Sequence, residues 1–167
     1  MTTHILALDP SSTCTGWALL ADATTLVEWG LLRVPAKVKP PPLRARGMAQ
    51  QCIEVADRVR PAVVVVEYPN SHVQARHGGH GAGLAVYGAV VGYVCGSLRR
   101  SGYEVREIDV AWKSRTPKAR LHAIVQAEFE DYDPAEDTSS GDGADAIALG
   151  AWFLREEAAV RLRGGLA

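Results

Sequence analysis

An apolar run that ends on a lone carboxylate opens the chain. Residues 5–20 read ILALDPSSTCTGWALL: Asp9 closes the run, a polar segment of Pro10, Ser11, Ser12, Thr13 and Thr15 follows, and Gly16 leads into a second apolar run. The alternating apolar residues on each side predict two strands joined by a turn of small and hydroxyl residues. An acid at the end of a buried strand is costly unless something cationic sits beside it. A plainer account has Asp9 cap the turn through its own side chain. Both accounts stand until the other acids are placed.

At 167 residues the chain suits a single domain, 1–167, long enough for a sizeable core. Apolar residues make up 47% and charged residues 22%, the composition of an ordinary soluble globular protein. The net charge of −1 excludes a basic molecule that coats polyanions, so any polyanion site must come from local clusters of Lys and Arg. Cys14, Cys52 and Cys95 are widely spaced and form no CxxC, which predicts reduced packing residues in a cytoplasmic protein. Asp9 interrupts the apolar N-terminus, so no signal peptide is expected. Residues 81–98 carry no charge, but glycines at 81, 83, 88, 92 and 96 make them a poor hydrocarbon span. A buried helix is expected there, and no membrane partner.

Along the chain, a third strand is expected over 27–34, with a turn near 22–24 making antiparallel hairpins of the first three. Pro40, Pro41 and Pro42 then form a stiff spacer. It lies in a stretch, 33–46, with five positive side chains and no acid, either a solvated linker or a phosphate-facing edge. Met48, Cys52, Val55, Ala56 and Val59 predict an amphipathic helix over 43–60, stopped by Pro61. Residues 62–66 are a β-branched run suited to a strand buried on both faces, and Glu67 ends it. The loop 68–80 carries Asn70, His72, Gln74, Arg76, His77 and His80. With no cysteine among them and glycine around them, a polar loop is expected rather than a zinc site.

A helix over 84–100 places Gly88, Gly92 and Gly96 on one face, for core packing or a subunit contact. Residues 103–110 read as a fifth strand. Lys113, Arg115, Lys118 and Arg120 follow without an acid among them, and Thr116–Pro117 predicts a helix start with Thr as cap and Pro at the first helical position. That helix runs to about 130. After an acidic loop (Asp131, Asp133, Glu136, Asp137), a last helix begins near Asp142 and continues toward Arg161, with 155–167 a frayed tail.

Asp142 and Asp145 lie three apart and so share a helix face. Acids in a first turn suit the helix dipole, yet Ala144, Ala146, Ile147, Ala148 and Leu149 surround them, so at least one faces apolar structure. Three antiparallel strands followed by helix, strand, helix, strand and two helices is the ribonuclease H-like order, an α/β fold whose five-stranded mixed sheet is flanked by helices. Parallel pairing of the first and fourth strands would set Asp9 beside Glu67, and the last helix could deliver Asp142 and Asp145 to the same edge. Four converging carboxylates call for hard divalent ions, Mg²⁺ or Mn²⁺. Two such ions about 3.5–4 Å apart can activate water and stabilise the leaving oxygen in phosphodiester hydrolysis.

These motifs resemble the RuvC family of Holliday-junction resolvases. Residues 5–20 are similar to its opening motif, with Asp9 as the first catalytic acid; VVVVE supplies the second at Glu67; and GDGADAIALGAW supplies Asp142 and Asp145. PKARLHAIVQ resembles its basic helix start, which implies that Lys118 contacts the scissile phosphate region. The resemblance spans residues 5–152. It implies a two-metal, Mg-dependent structure-selective endonuclease for Holliday junctions or related branched DNA, acting as a homodimer. Lys113, Arg115, Arg120, Arg76, Tyr68 and the 33–46 segment would then position the DNA backbone. The chain departs from the family after Glu67, where Tyr68 follows directly and the family's wedge aromatic is not matched in place. The divergent loops and compact size look like a phage-type variant. Two other readings use the same fold. DPSSTCTG is also similar to the phosphate loop of actin-like and sugar-kinase ATPases, which need two such domains. A non-cleaving branched-DNA-binding protein would gain nothing from four acids beside phosphates.

Overall fold

The computed structural model describes residues 4–68, 81–113 and 116–164. Its elements are β1 (Ile5–Asp9), β2 (Cys14–Asp22), β3 (Thr25–Arg33), α1 (Pro41–Val59), β4 (Val63–Tyr68), α2 (Gly81–Arg100), β5 (Val105–Asp109), a 3-10 turn (Val110–Lys113), α3 (Lys118–Glu128) and α4 (Asp142–Gly164). The strands form one sheet in the order β3-β2-β1-β4-β5. β1 and β3 flank β2 antiparallel, whereas β4 pairs parallel with β1 and with β5. This is the mixed five-stranded sheet expected from the element order.

Side-chain parity decides which acids meet. Successive residues of a strand point to opposite faces of a sheet. Ile5, Ala7 and Val65 pack on one face with Leu121, Val125, Ile147 and Leu149 of α3 and α4. Leu6, Leu8, Val64 and Val66 pack on the other with Met48, Cys52, Val91 and Val94 of α1 and α2. Both central strands are therefore buried on both sides, which their uninterrupted apolar runs require. In the parallel register Leu8 lies opposite Val66, so Asp9 and Glu67 come next at the same edge. By parity both belong to the face covered by α3 and α4.

Several local expectations are corrected. Pro41 and Pro42 are not a spacer but the first turn of α1, with Pro40 at its N-cap. Proline is tolerated there because the first amides of a helix have no partner within it. Arg60 ends that helix in a left-handed conformation, φ 47°, with its N–H on the Ala56 carbonyl. α3 starts at Lys118, with Pro117 at the N-cap position and no side-chain cap. The tail expected to fray from 155 is helical through Gly164. Its Arg, Glu, Ala and Leu residues are strong helix formers, and Arg155 pairs with Glu128 at 2.6 Å. Gly88, Gly92 and Gly96 do not pack on the sheet: a Cβ at any of them would meet nothing within 4 Å among the described residues. The three cysteines are free thiols. Among the described residues no helix is long and apolar enough to cross a membrane.

Candidate active site

The edge of the sheet at the C-terminal ends of β1 and β4 gathers the acids. Glu67 is only 4% exposed and Asp145 only 3%. A carboxylate that deeply enclosed needs donors. Glu67 accepts the Trp112 indole N–H at 2.8 Å on Oε2, and the Lys113 ammonium lies 3.1 Å from Oε1 and 3.0 Å from Oε2. Asp145 has Lys118 Nζ at 2.6 Å on Oδ2 and His122 Nε2 at 3.0 Å on Oδ1. Lys113 Nζ also stands 3.7 Å from Asp145 Oδ2, so one ammonium sits between the two acids.

Asp9 is the exception: its carboxylate has no hydrogen bond among the described residues, although its backbone pairs with Gly16 in the sheet. Burial raises its carboxyl well above the usual carboxylate range. Glu67 raises it further, Lys113 offsets part of the effect, and Asp145 and Asp142 add to it. Lys113 shows the complementary pattern. Burial alone would lower its ammonium, but Glu67, Asp9 and Asp145 outweigh burial and hold it above the ordinary lysine value.

The start of α4 is built to present Asp142 and Asp145. Asp137 takes the Gly143 N–H at 3.0 Å and the Ala144 N–H at 2.9 Å, which are first-turn amides with no helical partner. Tyr132 donates to the same carboxylate at 2.9 Å. Burial alone would raise the Asp137 carboxyl, but the Gly143, Ala144 and Thr138 amides and the Tyr132 hydroxyl outweigh it and hold it below the ordinary aspartate value. Thr138 and Ser140 donate to Asp142 at 2.9 Å and 3.1 Å. Gly141 has φ +68°, and a Cβ there would also collide with the His122 ring. Only glycine serves both needs.

Of the residues expected from sequence, Asp9, Glu67, Asp142, Asp145 and Lys118 meet at this edge. Lys113 meets them too, but inside the acid cluster rather than on an open surface, its side chain 23% exposed. Arg120 is exposed on the first turn of α3, and Tyr68 is 45% exposed at the end of β4. Arg76, Arg115 and the histidine loop 72–80 lie outside the described residues. Trp112, His122 and Asp137 were not foreseen. His122 stands four residues after Lys118, the spacing that puts both on one helix face. Asp137 and Thr138 precede a helix start, where such side chains cap.

The donor set consists of carboxylate oxygens, the chemistry of hard divalent ions. The four acids exceed the nearby ammonium groups, and the strain on Asp9 is the charge that a cation would relieve. Among the described residues no group of three or more His, Cys, Asp or Glu side chains stands as it is in a position to hold a metal ion; Lys113 and Lys118 occupy the oxygens of Glu67 and Asp145 instead. The turn after Asp9 gives no support to an ATP phosphate loop. Its amides at Cys14 and Thr13 donate to Ser11 Oγ at 3.0 and 3.4 Å, and the Ser11 amide faces Thr15 Oγ1 at 3.3 Å.

No family model and no curated relative matches the chain. Solved structures do. RuvC of Thermus thermophilus in complex with Holliday junction substrate is 20% identical, over 90% of this chain and 91% of that one, with a TM-score of 0.70. The yeast mitochondrial Holliday junction resolvase Ydc2 is 10% identical over 94% and 81%, TM-score 0.65. Fowlpox virus resolvase, solved with substrate Holliday junction DNA, is 15% identical over 92% and 98%, TM-score 0.59. Nearly the whole chain thus shares the ribonuclease H-like fold of these resolvases.

Proposed function

We propose that the chain is a metal-dependent endonuclease that resolves four-way DNA junctions or closely related branched DNA. The observation that carries this reading is the meeting of Asp9, Glu67, Asp142 and Asp145 at one sheet edge, where Lys113 offsets only part of what burial and the other acids impose on Asp9. The fold shared with three resolvases supports it.

Asp9, Glu67, Asp142 and Asp145 would together hold a pair of Mg²⁺ or Mn²⁺ ions. When bound, such a pair supplies an activated water and charge stabilisation for the leaving oxygen. The protein's own groups do the rest. Trp112 fixes the Glu67 carboxylate, and His122 fixes that of Asp145, so neither ligand must be ordered at the moment of reaction. Lys118, half exposed (50%) and bonded to Asp145, is placed to face a phosphate and to offset the charge that builds on it. Arg120 and the exposed cations of 33–46 would hold the DNA backbone without reading bases. One site per chain and two cuts per junction imply a symmetric homodimer.

The experiment is cleavage of a synthetic four-way junction, a flap and a linear duplex, each in Mg²⁺, Mn²⁺ or EDTA. Paired incisions in the junction, dependent on the metal and absent from the duplex, are expected. Equal cutting of linear duplex, or cutting in EDTA, would overturn the reading.

A further inference from the structure

Lys113 bonds both oxygens of Glu67 almost symmetrically, at 3.1 and 3.0 Å, and reaches Asp145 at 3.7 Å. Its ammonium also lies 5.5 Å from the centre of the Trp112 ring. No exposed surface lysine has such surroundings. Trp112 donates to the same Glu67 Oε2 at 2.8 Å, which stops the carboxylate from turning away and aims it at the ammonium. Lys118 bonds the same Asp145 Oδ2 at 2.6 Å and, among the described residues, forms no ion pair with Glu67.

We infer that Lys113 is the resident counter-ion of the metal-free site, and that its ammonium and a divalent ion exclude one another at Glu67. The inference rests on the two-metal reading above. A divalent ion on a carboxylate sits about 2.0–2.6 Å from its oxygens, in the space the ammonium already fills. Two like charges a few ångströms apart in a partly dry site repel strongly. The alternative is a permanent ion pair that supports Glu67 whether or not metal is present. Without any cation, Glu67, Asp145 and Asp9 would repel one another across one small edge, so a resident ammonium keeps the edge assembled. A lysine suits exchange, because its flexible stem lets the charge withdraw without moving the backbone.

Two measurements on the DNA-free protein test this. In the first, Mn²⁺ binding is followed by calorimetry in the wild type and in Lys113→Met. Removal of the competing charge should tighten Mn²⁺ binding by about 10-fold or more. The second uses the wild type alone, so it does not depend on how the variant folds. Acetylation of Lys113 by an N-hydroxysuccinimide ester, read by mass spectrometry, should be slow in EDTA and several-fold faster in saturating Mn²⁺. An unchanged or weaker affinity in Lys113→Met, or a Lys113 acetylation rate indifferent to Mn²⁺, would overturn the exchange while leaving the metal site standing. Failure of both proteins to take up Mn²⁺ would remove the two-metal reading itself, and the inference with it.

Discussion

Gly16 of β2 lies directly beneath the carbonyl of Asp142: a Cβ built on Gly16 would overlap that oxygen and crowd the Gly143 nitrogen at 2.9 Å. The same glycine pairs with Asp9 across β1 and β2. One missing side chain therefore sets how close the helix carrying two acids comes to the strand carrying a third. Gly16→Ala must lift the start of α4, and overpacking of this kind costs about 1–3 kcal/mol. The expected result is a Tm lowered by several degrees and a larger loss of metal-dependent cleavage, because the acids separate before the core does. Thermal melts and junction cleavage on the same preparation check it.

Asp9→Asn should abolish cleavage and stabilise the metal-free protein. The Asp9 charge is opposed by burial and by Glu67, Asp145 and Asp142, with only Lys113 against them. Neutralising it relieves that repulsion, so the variant should melt above the wild type at neutral pH. Junction binding in EDTA should persist. A melt at pH 7 that shows Asp9→Asn less stable than the wild type would contradict the account.

Asp137→Ala removes the acceptor of the Gly143 and Ala144 amides and should cost about 1–2 kcal/mol, as loss of a helix cap does. Its pH dependence has a definite sign. The folded carboxyl lies below its ordinary value of 3.8, so below about pH 4 the unfolded chain binds more protons than the folded one. The Asp137 contribution is thus present above that value and is lost as the pH falls through the folded value. The stability gap between wild type and Asp137→Ala, measured by denaturant melts, should be constant from pH 7 to 5 and close below pH 4.

Much of this was legible in the sequence, for a physical reason. The runs ILALD and VVVVE show both faces of their strands buried, and in each an acid ends an apolar stretch where no surface residue would be expected. Asp142 and Asp145 carry the same contradiction on a helix. What sequence could not show was the cation side of the cluster. Lys113 and Arg120 belong to one basic run, yet the 3-10 turn Val110–Lys113 carries the first into the acids while α3 leaves the second on the surface. The glycine stripe of α2 was equally ambiguous, because spacing of four defines a face without saying what lies opposite. Pro41 and Pro42 misled because proline suits both a spacer and a first helical turn.

Lys118→Ala should slow cleavage more than it weakens binding. Lys118 holds Asp145 at 2.6 Å yet keeps half its side chain exposed, the placement of a group that meets substrate at the acid edge. Loss of one such oriented charge typically costs about 100- to 1,000-fold in rate. A simple phosphate clamp would instead leave the rate at saturation intact and reduce the salt slope of binding by about one unit. Single-turnover cleavage beside a salt titration of junction binding separates the two.

The final prediction concerns assembly. A four-way junction has two equivalent strands to cut and each chain offers one acid edge, so productive resolution calls for two chains related by a two-fold axis. The outer face of α2 is suited to the contact. Gly88 and Gly92 are exposed, nothing among the described residues covers the stripe within 4 Å, and Tyr93 beside it is 39% exposed. Because a Cβ at Gly92 would meet nothing within 4 Å among the described residues, Gly92→Arg should change the stability of the isolated chain by no more than about 0.5 kcal/mol, the usual range for a surface change. Against a second copy the same arginine would obstruct close approach. Light scattering should show a dimer for the wild type and a monomer for Gly92→Arg. On a cruciform plasmid the variant should release singly nicked circles where the wild type linearises the molecule. A wild type that stays monomeric with and without junction, and nicks one strand only, would exclude the paired mechanism.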